Sequence, residues 1–294
     1  MKLALGTVQF GLDYGVSNNN GRVGPEEIAE IIACCRDLGI DTIDTAEAYG
    51  VAEQRLGDVG VGDLAIVGKV SLEGNEADDL SQYLLNRISA SLDRLGADRF
   101  HGLLLHTPKS LMGDAAAAQQ IVQALEKVRD AGLTAKIGAS TYSPEQTISL
   151  YTKFPFDIVQ IPLCPLDARW SHSDVLGILE RRGVEVHVRS VFLQGILLMS
   201  LETLPTWTMK WRRLLEGWHQ WITDQGTDPV SACIALADTY SGVEKIVVGV
   251  ENVGQLRQVH AGLLSTVAEL PVHLQTMDED LLDASRWRVA AASA

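Results

Sequence analysis

Asp44 ends a short apolar run within "DTIDTAEAYG" (41–50), and Tyr49 follows it closely, beside Gly50. A carboxylate at the end of a buried strand needs a cation or hydrogen-bond donors to offset its desolvation. Lys69 closes "AIVGK" (65–69) and His106 closes "HGLLLH" (101–106), so both stand at the ends of apolar runs of their own. Gathered on one rim, Asp, Tyr, Lys and His form a proton-transfer set. A free tyrosine, with a pKa of about 10, donates poorly at neutral pH. The Lys69 ammonium, kept charged and aimed by Asp44, is expected to lower that pKa and turn Tyr49 into a general acid for a developing alkoxide. His106 would hydrogen-bond the same oxygen and orient the carbonyl. Such a set suits the addition of hydride, supplied by a cofactor, to a carbonyl. Taken singly, each residue also has a plain structural reading, His106 as a satisfied core histidine and Lys69 as a strand-end lysine reaching solvent.

The elements that must position these residues follow from the hydrophobic pattern. Strands are predicted at 2–6, 41–44, 65–69, 101–106, 135–139, 156–160, 184–189 and 245–249. Helical patterns are read between and after them at 25–38, 78–95, 119–131, 144–153, 173–182, 228–240 and 252–264, several stopping at a glycine such as Gly39, Gly96, Gly132 or Gly183. Strands alternating with helices specify a parallel sheet, and eight of them close into a (β/α)8 TIM barrel, here one domain spanning 1–294. An extra helix, 206–226, is inserted after strand seven and a tail follows the last helix. Trp207, Trp211, Leu214, Leu215, Trp218 and Ile222 share one face of the inserted helix, read as core packing, with a lid over the site as the alternative. Active sites of such barrels lie at the C-terminal ends of the strands, where Asp44, Lys69, His106, Ser140, Gln160 and Arg189 all fall. In strand seven Val184, Val186 and Val188 alternate with Glu185, His187 and Arg189; the valines should face helices and the polar three the barrel interior, with Lys136 as a partner near the floor.

Composition narrows the function classes. A net charge of −14 argues against nucleic acid and anionic membranes as partners, since both need basic patches. The N-terminus reads as no signal peptide and there is no long apolar run, so a cytoplasmic location is expected. The chain has four cysteines; Cys34 and Cys35 are read as buried packing residues, and no motif suggests a metal. A small-molecule carbonyl compound is the expected partner, and the oligomeric state is left open.

The stretches "LALGTVQFG", "GIDTIDTAEAYG", "IVGKV", "SLDRLGADRFHGLLLHTP", "AKIGAS" and "FDIVQIPLCPLD" together resemble the aldo-keto reductases. The resemblance implies Asp44, Tyr49, Lys69 and His106 as the catalytic four, with Tyr49 the acid. It implies NADPH, or less often NADH, as cofactor, with Gly6, Thr7, Ser140, Thr141, Gln160, Arg189, Ser190, Gly249, Glu251, Asn252 and Gln255 at its binding positions. Ser140 and Gln160 match residues that hold the nicotinamide carboxamide, Thr141 stands where an Asn is usual, and Arg189 where an aromatic ring usually stacks. Glu251 sits where a basic or hydroxyl residue often meets the adenosine 2′-phosphate, Gln258–Val259 replace a usual Glu–Asn, and Lys245 and Arg257 are the nearest cations in sequence. Members of the family usually begin with a hairpin before strand one, whereas strand one is read here from residue 2. The function expected is reduction of aldehydes or ketones. Its rivals are a cofactor-binding regulatory subunit of the same fold and a non-redox lyase or isomerase. Tyr14, Trp170, His172 and the tryptophans of the insertion are candidate walls of a sugar-like pocket.

Overall fold

Parallel strands need cover on both faces, and the alternation of β-branched runs with amphipathic segments supplies it. The computed structural model describes residues 1–73 and 77–287. The last stretch of the expected C-terminal tail, 288–294, lies outside the described residues. Eight strands close in sequence order into one parallel barrel. They are β1 Leu3–Gly6, β2 Thr42–Asp44, β3 Ala65–Val70, β4 Phe100–Leu105, β5 Thr134–Ser140, β6 Ile158–Pro162, β7 Glu185–Arg189 and β8 Val243–Gly249. All match the sequence reading to within a few residues at their ends.

The covering helices Pro25–Asp37, Leu80–Leu95, Ala115–Asp130, Pro144–Lys153, Val175–Arg181, Pro229–Asp238 and Val253–Gly262 were also expected from periodicity. Their starts use the chemistry of the sequence: Asp79, Ser143, Asp228 and Asn252 each accept a hydrogen bond from the first turn. Among the described residues four short α-helices escaped the pattern: Val8–Gly11, Ala52–Val59, Ala168–Ser171 and Glu279–Leu282. The second is short and contains Gly57, which lowers its helical signal. That glycine has a packing reason, because a Cβ there would stand 2.0 Å from the Arg94 carbonyl oxygen of the neighbouring helix.

One apolar cluster lies mainly between barrel and helices and includes Val184, Val186 and Val188, so the valines of β7 face outward as expected. A second forms around the insertion, whose first part, Thr206–Trp211, is a 3-10 turn rather than α-helix; the α-helix runs Arg212–Gln225. Leu215, Trp218, Trp221 and Ile222 are buried there, and Trp207 packs at 4.9 Å from the Trp287 ring. The insertion is therefore anchored by core packing against the C-terminal segment, which supports the packing reading over the lid. Trp170 is 1% exposed and belongs to the barrel's own core, so it is not a pocket wall; His172 is exposed.

The floor of the barrel is polar. Glu185 accepts from His187 Nε2 at 2.6 Å, lies 2.9 Å from His101 Nε2 and is paired with Lys136. Burial alone would push the Glu185 carboxyl up, but these three partners outweigh it and hold the group well below the usual carboxylate range. Lys245 belongs to this end too, bonded to Asp41 and the Met1 carbonyl, so it cannot reach a phosphate at the opposite rim.

Candidate active site

Strand register decides which side chains meet. Gly6 pairs with Asp44, Asp44 with Val67, Ser140 with Gln160 and Pro162 with Arg189, so these positions share the C-terminal rim. Asp44 is 3% exposed and has the partners its burial demands. Lys69 Nζ donates to Asp44 Oδ1 at 2.5 Å and lies 3.3 Å from the Thr45 carbonyl oxygen. Gln160 Nε2 donates to Asp44 Oδ2 at 2.6 Å, so both carboxylate oxygens are engaged. Thr7 closes the entry side by donating its hydroxyl and backbone N–H to the Asp44 carbonyl oxygen, each at 3.0 Å.

Tyr49 reaches this network through a tight loop. Gly11 and Gly50 let the two loops touch: a Cβ on Gly11 would lie 1.6 Å from the Tyr49 carbonyl oxygen, and Gly50 has φ 59°. The Tyr49 ring, half-buried, lies with its centroid 5.3 Å from Lys69 Nζ and edge-on to His106 at 5.8 Å. The expected four thus converge on one site.

Their electrostatics differ from the sequence expectation in one respect. The Tyr49 phenol is pushed up rather than down, first by burial and then by the Asp44 charge, with Arg189 opposing. Loss of hydration around the phenol dominates, and the nearby Asp44 carboxylate adds to it. Burial also pushes the Lys69 ammonium down, with Asp44 acting against it. His106 is lowered to about 4, first by burial and then by Lys69 and Arg189, so its imidazole is neutral near pH 7.

The expected cofactor positions divide. Ser140 is buried with its hydroxyl accepting from Arg189 Nε at 3.3 Å, and Gln160 Oε1 is a buried acceptor with no donor among the described residues. The Thr141 hydroxyl shares a hydrogen bond with the Thr147 hydroxyl at 2.6 Å. Arg189 is tied to Ser190 Oγ and the Thr141 carbonyl and lies 4.8 Å from the Tyr142 ring centroid, a partner the sequence did not suggest. The turn that follows it is left-handed at Ser190, Leu193 and Gln194, with φ 63°, 50° and 51°. Gln194 accepts from Val16 N at 2.9 Å, which joins this turn to the loop after β1. Gly249 is covered by Gln9, whose Oε1 a Cβ would approach to 2.4 Å. Gln9 lies in the stretch "LALGTVQFG" but was given no role by the sequence; the barrel closure of β1 on β8 brings it there. Tyr14 acts on Lys69 electrostatically and so stands near the same rim. At the end of β8, Asn252 caps the following helix and Gln255 accepts from Glu251 N at 2.7 Å. Arg257 is exposed on that helix.

A nicotinamide carboxamide needs an acceptor for its NH₂ and a donor for its oxygen. Gln160 Oε1 and the Ser140 hydroxyl proton offer that pair, so the rim fits the group. No group of His, Cys, Asp and Glu suited to a metal ion occurs among the described residues, and no described helix is long and apolar enough to cross a membrane.

Comparison with known proteins places these features. The sequence model of the aldo/keto reductase family matches residues 2–267. The "Probable voltage-gated potassium channel subunit beta" of Arabidopsis thaliana is 28% identical over 155 residues, 49% of this chain and 45% of that protein. The methylglyoxal reductase DkgB of Salmonella typhimurium is 28% identical over 127 residues, 42% of this chain and 45% of that protein. The alignments span about half the length of these curated relatives. Among solved structures, a candidate aldo-keto reductase from Pseudomonas aeruginosa superposes with TM-score 0.64 at 27% identity, covering 89% of this chain and 88% of that one. The holo form of the aldo-keto reductase AKR11C1 from Bacillus halodurans shares the fold at TM-score 0.70, with 19% identity, 96% of this chain and 92% of that one.

Proposed function

Because the chain belongs to the aldo/keto reductase family, we propose that it reduces an aldehyde or ketone with a reduced nicotinamide cofactor, Tyr49 being the proton donor. The observation that carries the reading is the buried Lys69–Asp44–Gln160 network set beside the Tyr49 and His106 rings on one rim. The cofactor supplies hydride; Gln160 Oε1 and Ser140 would hold its carboxamide, and Arg189 and Ser190 line the turn beside them.

The protein's own groups account for the proton and the charge. Burial keeps the Tyr49 phenol protonated through the neutral range, so its O–H is available when negative charge develops on the substrate oxygen. As that proton leaves, a phenolate forms, and Lys69 on one side and Arg189 on the other stabilise it. Asp44 aims the ammonium, and Gln160 and Thr7 fix Asp44. Neutral His106 donates an N–H to the carbonyl oxygen without competing for the proton.

The test is a steady-state assay with purified protein, reduced cofactor and a panel of aldehydes, ketones and aldoses. Substrate-dependent oxidation of the cofactor is expected, and its loss in Tyr49→Phe. Similarity to a channel β subunit over 49% of the chain favours one second reading, a cofactor-binding regulatory protein. Tight cofactor binding with no turnover on any carbonyl would select it.

A further inference from the structure

NADH and NADPH differ by one phosphate on the adenosine ribose, so preference between them is set where that hydroxyl lies. Barrels of this architecture commonly hold phosphate beside strands seven and eight on a helix N-terminus, where free N–H groups and the helix dipole attract an anion. In this chain the helix Val253–Gly262, directly after β8, has that position. Two N–H groups of its first turn, and one just before it, already have side-chain acceptors. Val253 N donates to Glu27 Oε1 at 3.0 Å, Gln255 N to Asn252 Oδ1 at 2.9 Å, and Glu251 N to Gln255 Oε1 at 2.7 Å.

Glu27 comes from a different element, the first turn of Pro25–Asp37, and its carboxylate crosses to the N-terminus of the β8 helix because β1 closes on β8. The adjacent carboxylate of Glu251 is held by Asn20 Nδ2 at 3.1 Å. Among the described residues neither Glu27 nor Glu251 forms an ion pair. An anion arriving here would meet two carboxylates beside an N-terminus whose Val253 and Gln255 amides are already engaged.

We propose that Glu27 and Glu251 make this chain specific for NADH, which deepens the reductase reading and rests on it. Glu27 holds the N-terminus that a 2′-phosphate would need, and both carboxylates repel that phosphate, which carries nearly two charges. The same oxygens accept hydrogen bonds from unphosphorylated ribose hydroxyls, the chemistry by which acidic residues select NAD in other folds. Of the two carboxylates the sequence exposed only Glu251, since Glu27 lies more than two hundred positions away from this helix in the chain.

The test is binding without substrate: NADH and NADPH titrated separately into the full-length protein, followed by tryptophan fluorescence and calorimetry. Wild type is expected to bind NADH at least about 10-fold more tightly, the equivalent of about 1.4 kcal/mol. Glu27→Gln with Glu251→Gln keeps the acceptor for Val253 N–H and removes the charge, and should shift the ratio toward NADPH by about 5-fold or more. Should that double variant fold poorly, the wild type still decides: added salt must improve NADPH binding relative to NADH if the repulsion is real. Equal or tighter NADPH binding by wild type, or a ratio that neither salt nor the variant moves, overturns the proposal while leaving the reductase reading intact. Binding of neither dinucleotide overturns both.

Discussion

Replacing Lys69 with Met tests the physics of the site apart from its chemistry. The Lys69 and Asp44 side chains are 1% and 5% exposed, so their interaction is little screened by solvent. Met fills most of the volume of the lysine stem, which limits any cavity. What disappears is the ammonium, and the Asp44 carboxylate keeps only the Gln160 amide at 2.6 Å. Removing one member of a buried ion pair costs about 3–5 kcal/mol, because the remaining charge is left uncompensated. Unfolding entropy of about 2.1 cal/mol/K per residue over 294 residues gives roughly 0.6 kcal/mol/K, hence a fall in Tm of roughly 5–8 °C. The double variant Asp44→Asn, Lys69→Met leaves no charge behind and should recover much of that loss. Urea unfolding and calorimetry on wild type, both single variants and the double complete the cycle. A loss below about 1 kcal/mol for Lys69→Met, or additive single effects, would refute the claim that the pair holds this rim together.

Tyr49→Phe keeps the ring and removes the proton donor, so kcat should fall about 10²–10⁴-fold with cofactor Kd nearly unchanged; more than a tenth of wild-type turnover would take Tyr49 out of the role. With His106 lowered to about 4, kcat/KM should lack an acid limb at the ordinary histidine value of about 6.5 and show one near 4; a limb at about 6.5 that vanishes in His106→Gln would contradict the burial argument. The Glu185 carboxyl is held below its unfolded value of about 4.3, so its stabilisation is full above about pH 5 and is lost as pH falls toward its folded pKa. Tm should therefore drop more steeply with acidification in wild type than in Glu185→Gln, and parallel curves would argue against the floor network.

Much of this protein is fixed by local sequence. The eight strands are legible because a parallel barrel strand is apolar on both sides and short, and the helices because their faces repeat every three to four residues. Asp44, Lys69 and His106 are legible because each ends an apolar run and so stands on the same rim once the barrel closes, and Tyr49 because it follows Asp44 in the loop at that rim. The inward turn of Glu185 and His187 follows from period-two alternation, and Lys136 is their partner as expected. What depends on side-chain contacts between distant segments was decided by the tertiary structure alone. The direction of the Tyr49 shift turns on how deeply its phenol is buried and how near Asp44 stands, which strand ends do not reveal. The Thr141 hydroxyl bonds Thr147, a contact the sequence did not suggest, and Lys245 belongs to the floor because its place in β8 sets its height. Glu27, Asn20 and Tyr142 carry no motif, and Gln9 was given no role within its own; they reach the rim through barrel closure and loop packing, which a linear pattern does not contain.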